Sequence, residues 1–264
     1  MMEALRTPSA RISAVVSDVD GTLVTDDKIL AARAQAAVAK LRANGLTFTI
    51  ISSRPPRGVG GLIEPLGITS PIGCFNGGVI ATANLSIISE HLLSSDVVRR
   101  SAELLDVESV RPWVFAGQDW LVRHSDGPYV GREARTVGFR PTVVADFGPF
   151  LATTAKIVGV SADFERLAQC EHDIRAALAD QATVARSQPY YLDITHLHAN
   201  KGHALSAMAK LLAVPLAEIA VIGDGRNDVA MFKCGGLSNA FDRFILGGER
   251  SNAPVAIARA AGRA

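Results

Sequence analysis

The sequence predicts an α/β fold: a Rossmann-like, doubly wound parallel sheet with an α+β domain inserted into it. Three observations point there. The opening alternates short β-branched apolar runs with helical stretches, the order that builds parallel β-α-β units. The middle switches to strands that follow one another across short turns. The last third returns to helix, apolar strand, turn and helix.

Taken in order, "ISAVVS" (Ile12–Ser17) is a short β-branched apolar run and reads as a buried strand. "LAARAQAAVAKLRANG" (Leu30–Gly45) has apolar residues at helical spacing and closes on Asn44-Gly45, a good helix stop. "LTFTIIS" (Leu46–Ser52) is the next buried strand, followed by a helical stretch near Val59–Leu66 and by "PIGCFNGG" (Pro71–Gly78). In the middle, "VRPWVFAG" and "DWLVRH" read as strands paired across a turn. Strand "TAKIVGVSA", helix "DFERLAQCEHDIRAALAD" and strands "ATVARS" and "YYLDIT" come next. Helix "NKGHALSAMAKLLAV" leads into "AEIAVIGDGRNDVAMF", a strand, a glycine-flanked aspartate turn and a helix start. The expected division is a core from residues 1–84 and 190–264, with an insert at 85–189.

Composition narrows the function classes. The chain has 264 residues, 48% of them hydrophobic and 20% charged, enough for a substantial core. Lys+Arg number 27 against 26 Asp+Glu, so no basic field argues for nucleic acid or an anionic membrane. Cys74, Cys170 and Cys234 are odd in number and far apart, which suits a reducing compartment rather than a disulfide framework. The N-terminus has no apolar signal-peptide core, and no window reaches the ~18 apolar residues of a membrane span. The expectation is a cytoplasmic protein with a small-molecule partner, neither nucleic acid nor membrane, and of open oligomeric state.

In open α/β sheets ligands bind at the carboxyl ends of the strands. Asp18 and Asp20 follow the first strand; Ser52, Ser53 and Arg54 the second; Asn76, Gly77 and Gly78 the third. Asp224, Asn227 and Asp228 follow the strand near Val221, and Lys201 opens the helix before it. Carboxylates converging from two strand ends make a hard-oxygen site suited to Mg²⁺, which would also relieve their repulsion. A serine hydroxyl and a lysine ammonium supply what a phosphoryl group needs. A carboxylate can attack phosphorus covalently, and a second can carry the proton.

"DVDGTLV", "IISSRP", "ANKGHAL" and "VIGDGRNDVAMF" resemble, in order, the four motifs of the haloacid dehalogenase-like hydrolases. Asn76-Gly77-Gly78 and the size of the insert resemble the Cof-like, sugar-phosphatase branch with a large α/β cap. The resemblance covers about Ile12–Gly78 and Tyr190–Leu237. It implies a Mg²⁺-dependent phosphatase acting on a small phosphorylated metabolite, a sugar phosphate foremost. By the same resemblance Asp18 would be the nucleophile and a metal ligand. Asp20 would be the general acid/base, with its carbonyl on the metal. Ser52 would hold a phosphoryl oxygen, with Ser53 and Arg54 beside it, and Lys201 would balance charge. Asp224 would ligate Mg²⁺, Asp228 would support the metal shell, and Asn227 would help hold the phosphate. The alternatives are a phosphomutase on the same core and a non-catalytic binding protein.

Two departures stand out. The second motif reads Ser52-Ser53-Arg54 where the family has Thr-Gly-Arg, which keeps the first hydroxyl. In "CGGLSNAFDRF" (Cys234–Phe244) an Ile-Ala-Met-Gly-like strand is missing, so the last core strand is expected to be short or displaced. His196 and His198 lack the further ligands of a transition-metal site. Trp113 and Trp120 read first as packing, with sugar stacking as the alternative. The glycines at 58, 60 and 61 do not match a nucleotide fingerprint.

Overall fold

A computed structural model of the chain describes residues 11–240 and 255–257. The first sheet runs β14-β13-β12-β1-β2, in the order Val255–Ile257, Leu237–Ala240, Ile219–Gly223, Ala14–Ser17 and Thr47–Ile50. Its neighbours are parallel except β14, which is antiparallel to β13. Every residue of β1 is buried, because both faces of the sheet are covered. On one face, α1 (Ala32–Ala43) and α2 (Pro56–Leu66) pack Val38, Val59, Leu62 and Leu66 with Val15, Phe48 and Ile50. On the other, α6 (Lys201–Leu212) and the short α7 (Val229–Phe232) set Leu205, Met208 and Met231 against Val16, Ile219 and Val221.

The elements expected from sequence form, with local shifts that have local causes. Helix α2 begins at Pro56, earlier than its apolar spacing suggested, because proline is preorganised for a first helical position. Helix α1 stops as expected, with Gly45 at φ +79°. The last core strand exists: β13 is short but pairs with β12 through four residues, Leu237 to Ala240. Of the doubtful C-terminal segment, residues 241–254 and 258–264 lie outside the described residues.

Two further sheets complete the fold. β3 (Ile72–Cys74), β4 (Val79–Ala81) and β5 (Ile87–Glu90) form an antiparallel ribbon, which an Ile51–Gly73 bridge joins to the edge of the first sheet. The third sheet has six strands, ordered β10-β11-β9-β6-β7-β8: Thr183–Gln188, Tyr191–Thr195, Thr154–Val160, Arg111–Ala116, Asp119–Val122 and Thr142–Val143. It is antiparallel apart from the β7–β8 pair. β5, beyond residue 84, belongs to the ribbon, and β11, beyond 189, belongs to the third sheet, because hydrogen bonding places each with its hairpin partner.

Helices α3 (Ser95–Val107) and α5 (Phe164–Leu178) cover one face of the third sheet with a closed apolar cluster that includes Val98, Leu105, Val114, Ile157, Leu167 and Leu192. By strand alternation the next residues point the other way. Trp113, Phe115, Trp120, Val122, Val158 and Val160 share a cluster with Val15, Val19 and Leu23 of the first sheet's layer. Phe115 meets Phe75 edge to face at 5.7 Å. The inserted layer therefore sits closed over the strand ends, with α4 (Val130–Val137) at the seam.

Candidate active site

The parallel register of β1 with β12 and β2 brings three strand ends together. Asp18 follows β1 directly, its N–H bonded to Ile222 C=O at 2.8 Å. Ser52 and Arg54 follow β2, and Asp224 follows β12. The third strand end is tied to the second: Asn76 N–H donates to Ser52 C=O and Phe75 N–H to Arg54 C=O.

Lys201 organises the centre. It is fully buried at the first position of α6, a poor place for a cation because the helix N-terminus is already positive. Two carboxylates resolve this: Lys201 Nζ lies 2.5 Å from Asp18 Oδ1 and 2.5 Å from Asp228 Oδ1. Asn200 caps the helix by accepting from the N–H groups of Gly202 and His203, leaving Lys201 free to point inward. Burial acts to lower the Lys201 pKa, but Asp18 and Asp228 outweigh it and hold the ammonium above its ordinary value. Asp18 is pushed up to about 7, by burial first, with Lys201 pulling it down and Asp228 adding to the rise.

Asp228 uses its other oxygen to fasten the loop, accepting from Asp224 N–H at 3.0 Å and Gly225 N–H at 2.7 Å. Asp18, Asp224 and Asp228 each offer an oxygen, and these oxygens lie within 4.8 Å of one another. Three carboxylates with oxygens this close repel one another, which a divalent cation would relieve, and all-oxygen donors suit a hard ion. The residues present therefore fit a divalent metal. Gly21, at φ +83°, makes room: a Cβ there would lie 2.0 Å from Asp224 Oδ2.

Asp20 is held differently. Arg54 grips it with two parallel bonds, Nε to Oδ2 and Nη2 to Oδ1, both 2.8 Å, and Lys28 Nζ reaches Oδ1 at 2.8 Å. Burial works to raise the Asp20 pKa, but Arg54, then Lys28, prevail and hold it below the ordinary value. Arg54 itself is buried.

The structure thus brings Asp18, Lys201, Asp224 and Asp228 into one group and joins Arg54 to Asp20, with Ser52 at the end of β2. Ser52 is buried, its Oγ accepting from Arg54 N–H, and Ser53 is half-buried beside it. Asn227 lies at the rim, its amide donating to Asn76 Oδ1 at 3.0 Å. Sequence reasoning missed Lys28, which gave no sign beyond a turn-like "TDDKI". Thr22, two residues after Asp20, has its Oγ1 buried without a partner.

Comparison with known proteins now bears on this geometry. The family model of the haloacid dehalogenase-like hydrolases matches residues 15–244. The chain belongs to that family. A putative phosphatase of Haemophilus influenzae is 24% identical over 249 residues, covering 94% of this chain and 90% of the relative. A 5-amino-6-(5-phospho-D-ribitylamino)uracil phosphatase of Bacillus subtilis is 24% identical over 260 residues, covering 86% and 88%. A solved haloacid dehalogenase-like hydrolase of Bacteroides thetaiotaomicron superposes with a TM-score of 0.79 at 26% identity, covering 87% and 88%. The family assignment and the α/β fold with its inserted layer agree with the expectation from sequence. Among the described residues, no helix is long and apolar enough to cross a membrane.

Proposed function

We propose that the protein is a Mg²⁺-dependent phosphatase that hydrolyses a small phosphorylated metabolite, a sugar phosphate foremost, through a phosphoryl group carried on Asp18. The observation that carries this is the buried Lys201 bridging Asp18 and Asp228 beside Asp224. A nucleophilic carboxylate must stay ionised out of water, and Lys201 is placed to keep it so. The phosphatase relatives, with phosphorylated substrates in one of their names, support the same reading.

Asp18 attacks phosphorus and the bond to the leaving oxygen breaks. Asp20 donates the proton that this oxygen needs, then takes one from the water that releases phosphate from Asp18. In the closed state Asp20 is a carboxylate clamped by Arg54 and Lys28. An entering phosphoryl group competes for Arg54, loosening the clamp so that Asp20 can acquire its proton. Lys201 and the Ser52 hydroxyl face the phosphoryl oxygens, and Asn227 adds an amide from the rim. Asp18, Asp224 and Asp228 would hold Mg²⁺, which when bound offsets charge on the phosphoryl group.

Asp18, Ser52, Lys201 and Asp228 are all buried, so the inserted layer must lift for a substrate to enter. We assign the third sheet with α3, α4 and α5 as a cap, spanning about His91–Thr195. The three cysteines are unpaired, and we place the protein in the reducing cytoplasm. Acid-quenched enzyme, digested after brief exposure to substrate, tests the mechanism by mass spectrometry. A phosphoryl adduct on the Asp18 peptide is expected; an adduct on another residue contradicts it. Interconversion of hexose-phosphate isomers without phosphate release would instead assign a mutase.

A further inference from the structure

In the sequence His196 and His198 stand without further imidazoles nearby; the fold supplies them. His91, just after β5, and His203, on the first turn of α6, come to the same place. The rings of His91, His196 and His198 form a triangle with sides of 5.1, 5.6 and 5.3 Å between centres. His203 joins at one corner, 5.1 Å from His198.

The triangle stands where the chain passes between the core and the inserted layer. His91 N–H is bonded to Gly78 C=O, at the start of the ribbon's β4, at 2.7 Å. Two residues on, Leu93 N–H is bonded to Thr154 C=O, where β9 of the third sheet begins, at 2.9 Å. The first crossing is therefore residues 91–93. On the return, Thr195 still pairs with Lys156 in the third sheet, and Asn200 already caps α6 of the core. The second crossing is residues 196–200, and it carries the other two corners.

Imidazole nitrogens suit borderline transition cations such as Zn²⁺, whereas Mg²⁺ takes oxygen. Zinc bonds an imidazole nitrogen at about 2.0–2.1 Å, and the ring centre lies roughly 1.1 Å further out, so rings around a tetrahedral ion have centres roughly 5 Å apart. The three observed spacings match that figure. The nitrogens do not yet converge: among the described residues, the ligand atoms that lie within 4.8 Å of one another are those of Asp18, Asp224 and Asp228. His91 and His198 are exposed and His196 is half-buried, so convergence takes side-chain rotation, a fast motion for exposed rings. It also replaces the bond that His196 Nδ1 accepts from His198 N–H. His203 Nδ1 is engaged by the Asn200 amide at 2.9 Å and stays outside the set. Burial first, then neighbouring imidazoles, holds His91 and His196 below the ordinary imidazole value, which favours the neutral form that a metal needs.

We propose that His91, His196 and His198 bind one divalent transition cation of the Zn²⁺ class, at a site other than the carboxylate group, and that this ion ties the two crossings together and restrains the cap. Three imidazoles and a water complete a four-coordinate shell. The binding is independent of the phosphatase reading; only its effect on turnover rests on that reading.

The test titrates the untagged chain with Zn²⁺ by calorimetry, with Mg²⁺ in large excess to occupy the carboxylates. One equivalent per chain is expected. Affinity should fall by at least about tenfold in His91→Gln and in His198→Gln, and stay unchanged in His203→Gln. Circular dichroism checks that each variant folds, as the exposure of these rings predicts. Equal affinity in the wild type and His91→Gln overturns the site, as does an equivalent lost in Asp224→Asn but kept in the histidine variants. Hydrogen exchange reads the tie itself: Zn²⁺ should slow exchange at residues 91–93 and 196–200 in the wild type and not in His91→Gln. Binding without that protection overturns the restraint. On an aryl phosphate at saturating Mg²⁺, Zn²⁺ should slow the wild type more than His91→Gln, and equal inhibition counts against the restraint in the same way. Absence of turnover before Zn²⁺ is added would defeat the phosphatase reading and leave the binding result standing.

Discussion

The core strand ends and the facing sheet of the cap both bury charge, but they treat it in opposite ways. At the strand ends the charges answer one another within the chain. Lys201 serves Asp18 and Asp228, the loop amides serve the second oxygen of Asp228, and Arg54 and Lys28 serve Asp20. On the cap face, one oxygen of Asp193 and the Trp120 N–H go unanswered. An internally compensated site holds reacting groups in fixed positions before any ligand arrives. An uncompensated one gives up stability that a bound molecule can restore.

The largest effect is expected at Asp18. Asp18→Asn keeps the shape but removes the nucleophile, and phosphate release should fall by at least about 10³-fold. Circular dichroism should show an unchanged fold, and substantial residual turnover would end the assignment. Next comes the compensation itself. Lys201→Met leaves two buried carboxylates without their ammonium, which should cost about 3–5 kcal/mol in urea unfolding without metal. Part of that loss should return when Mg²⁺ is added, because the cation relieves the same repulsion.

Gly21→Ala sharpens the claim that Asp224 is positioned rather than merely present. The new methyl group would occupy the space of Asp224 Oδ2, at a φ that strains any L side chain. The Mg²⁺ concentration for half-maximal activity should rise about tenfold, worth roughly 1.4 kcal/mol of metal affinity. An unchanged metal requirement would show that Asp224 does not hold the ion.

The smallest effect belongs to the segments that join the two regions. His91, just after β5, stacks on His196, just after β11, at 5.1 Å, with His198 and His203 close by. Burial, then its histidine neighbours, holds His91 below the ordinary imidazole value, and His196 likewise. The folded chain thus binds protons less readily here than the unfolded one. Stability should fall as pH drops through the ordinary histidine value toward the lower folded one. In His91→Gln the fall in Tm between pH 7 and pH 5 should shrink by about 1–2 °C. An identical pH profile would remove the stacking from the account.

How much of this was legible in the sequence follows the same division. The core could be read because its polar residues sit directly after apolar strands, where chain order alone brings strand ends together in a parallel sheet. Asp18, Ser52, Lys201 and Asp224 needed no knowledge of side-chain direction. The cap demanded that knowledge. Lys156 in "TAKIVGV" and Asp193 in "YYLDIT" are lone charges in apolar strands, and that irregularity was visible. Their partnership depends on the β9–β11 register, which residue order does not specify. Glu133 came close to them only through the packing of α4. Lys28 reached Asp20 because the turn after β1 folds back with Lys28 at φ +65°, a conformation its residue type does not announce. Hairpin pairing, not composition, assigns β5 to the ribbon and β11 to the third sheet.

The central claim is that the strand-end carboxylates hydrolyse phosphate monoesters with Asp18 as nucleophile. The most direct measurement is release of inorganic phosphate from a generic aryl phosphate by the purified chain, with Mg²⁺ and with chelator, beside Asp18→Asn. The account predicts Mg²⁺-dependent release by the wild type and none above background by the variant. Equal release by the two proteins, or none by either, would contradict it.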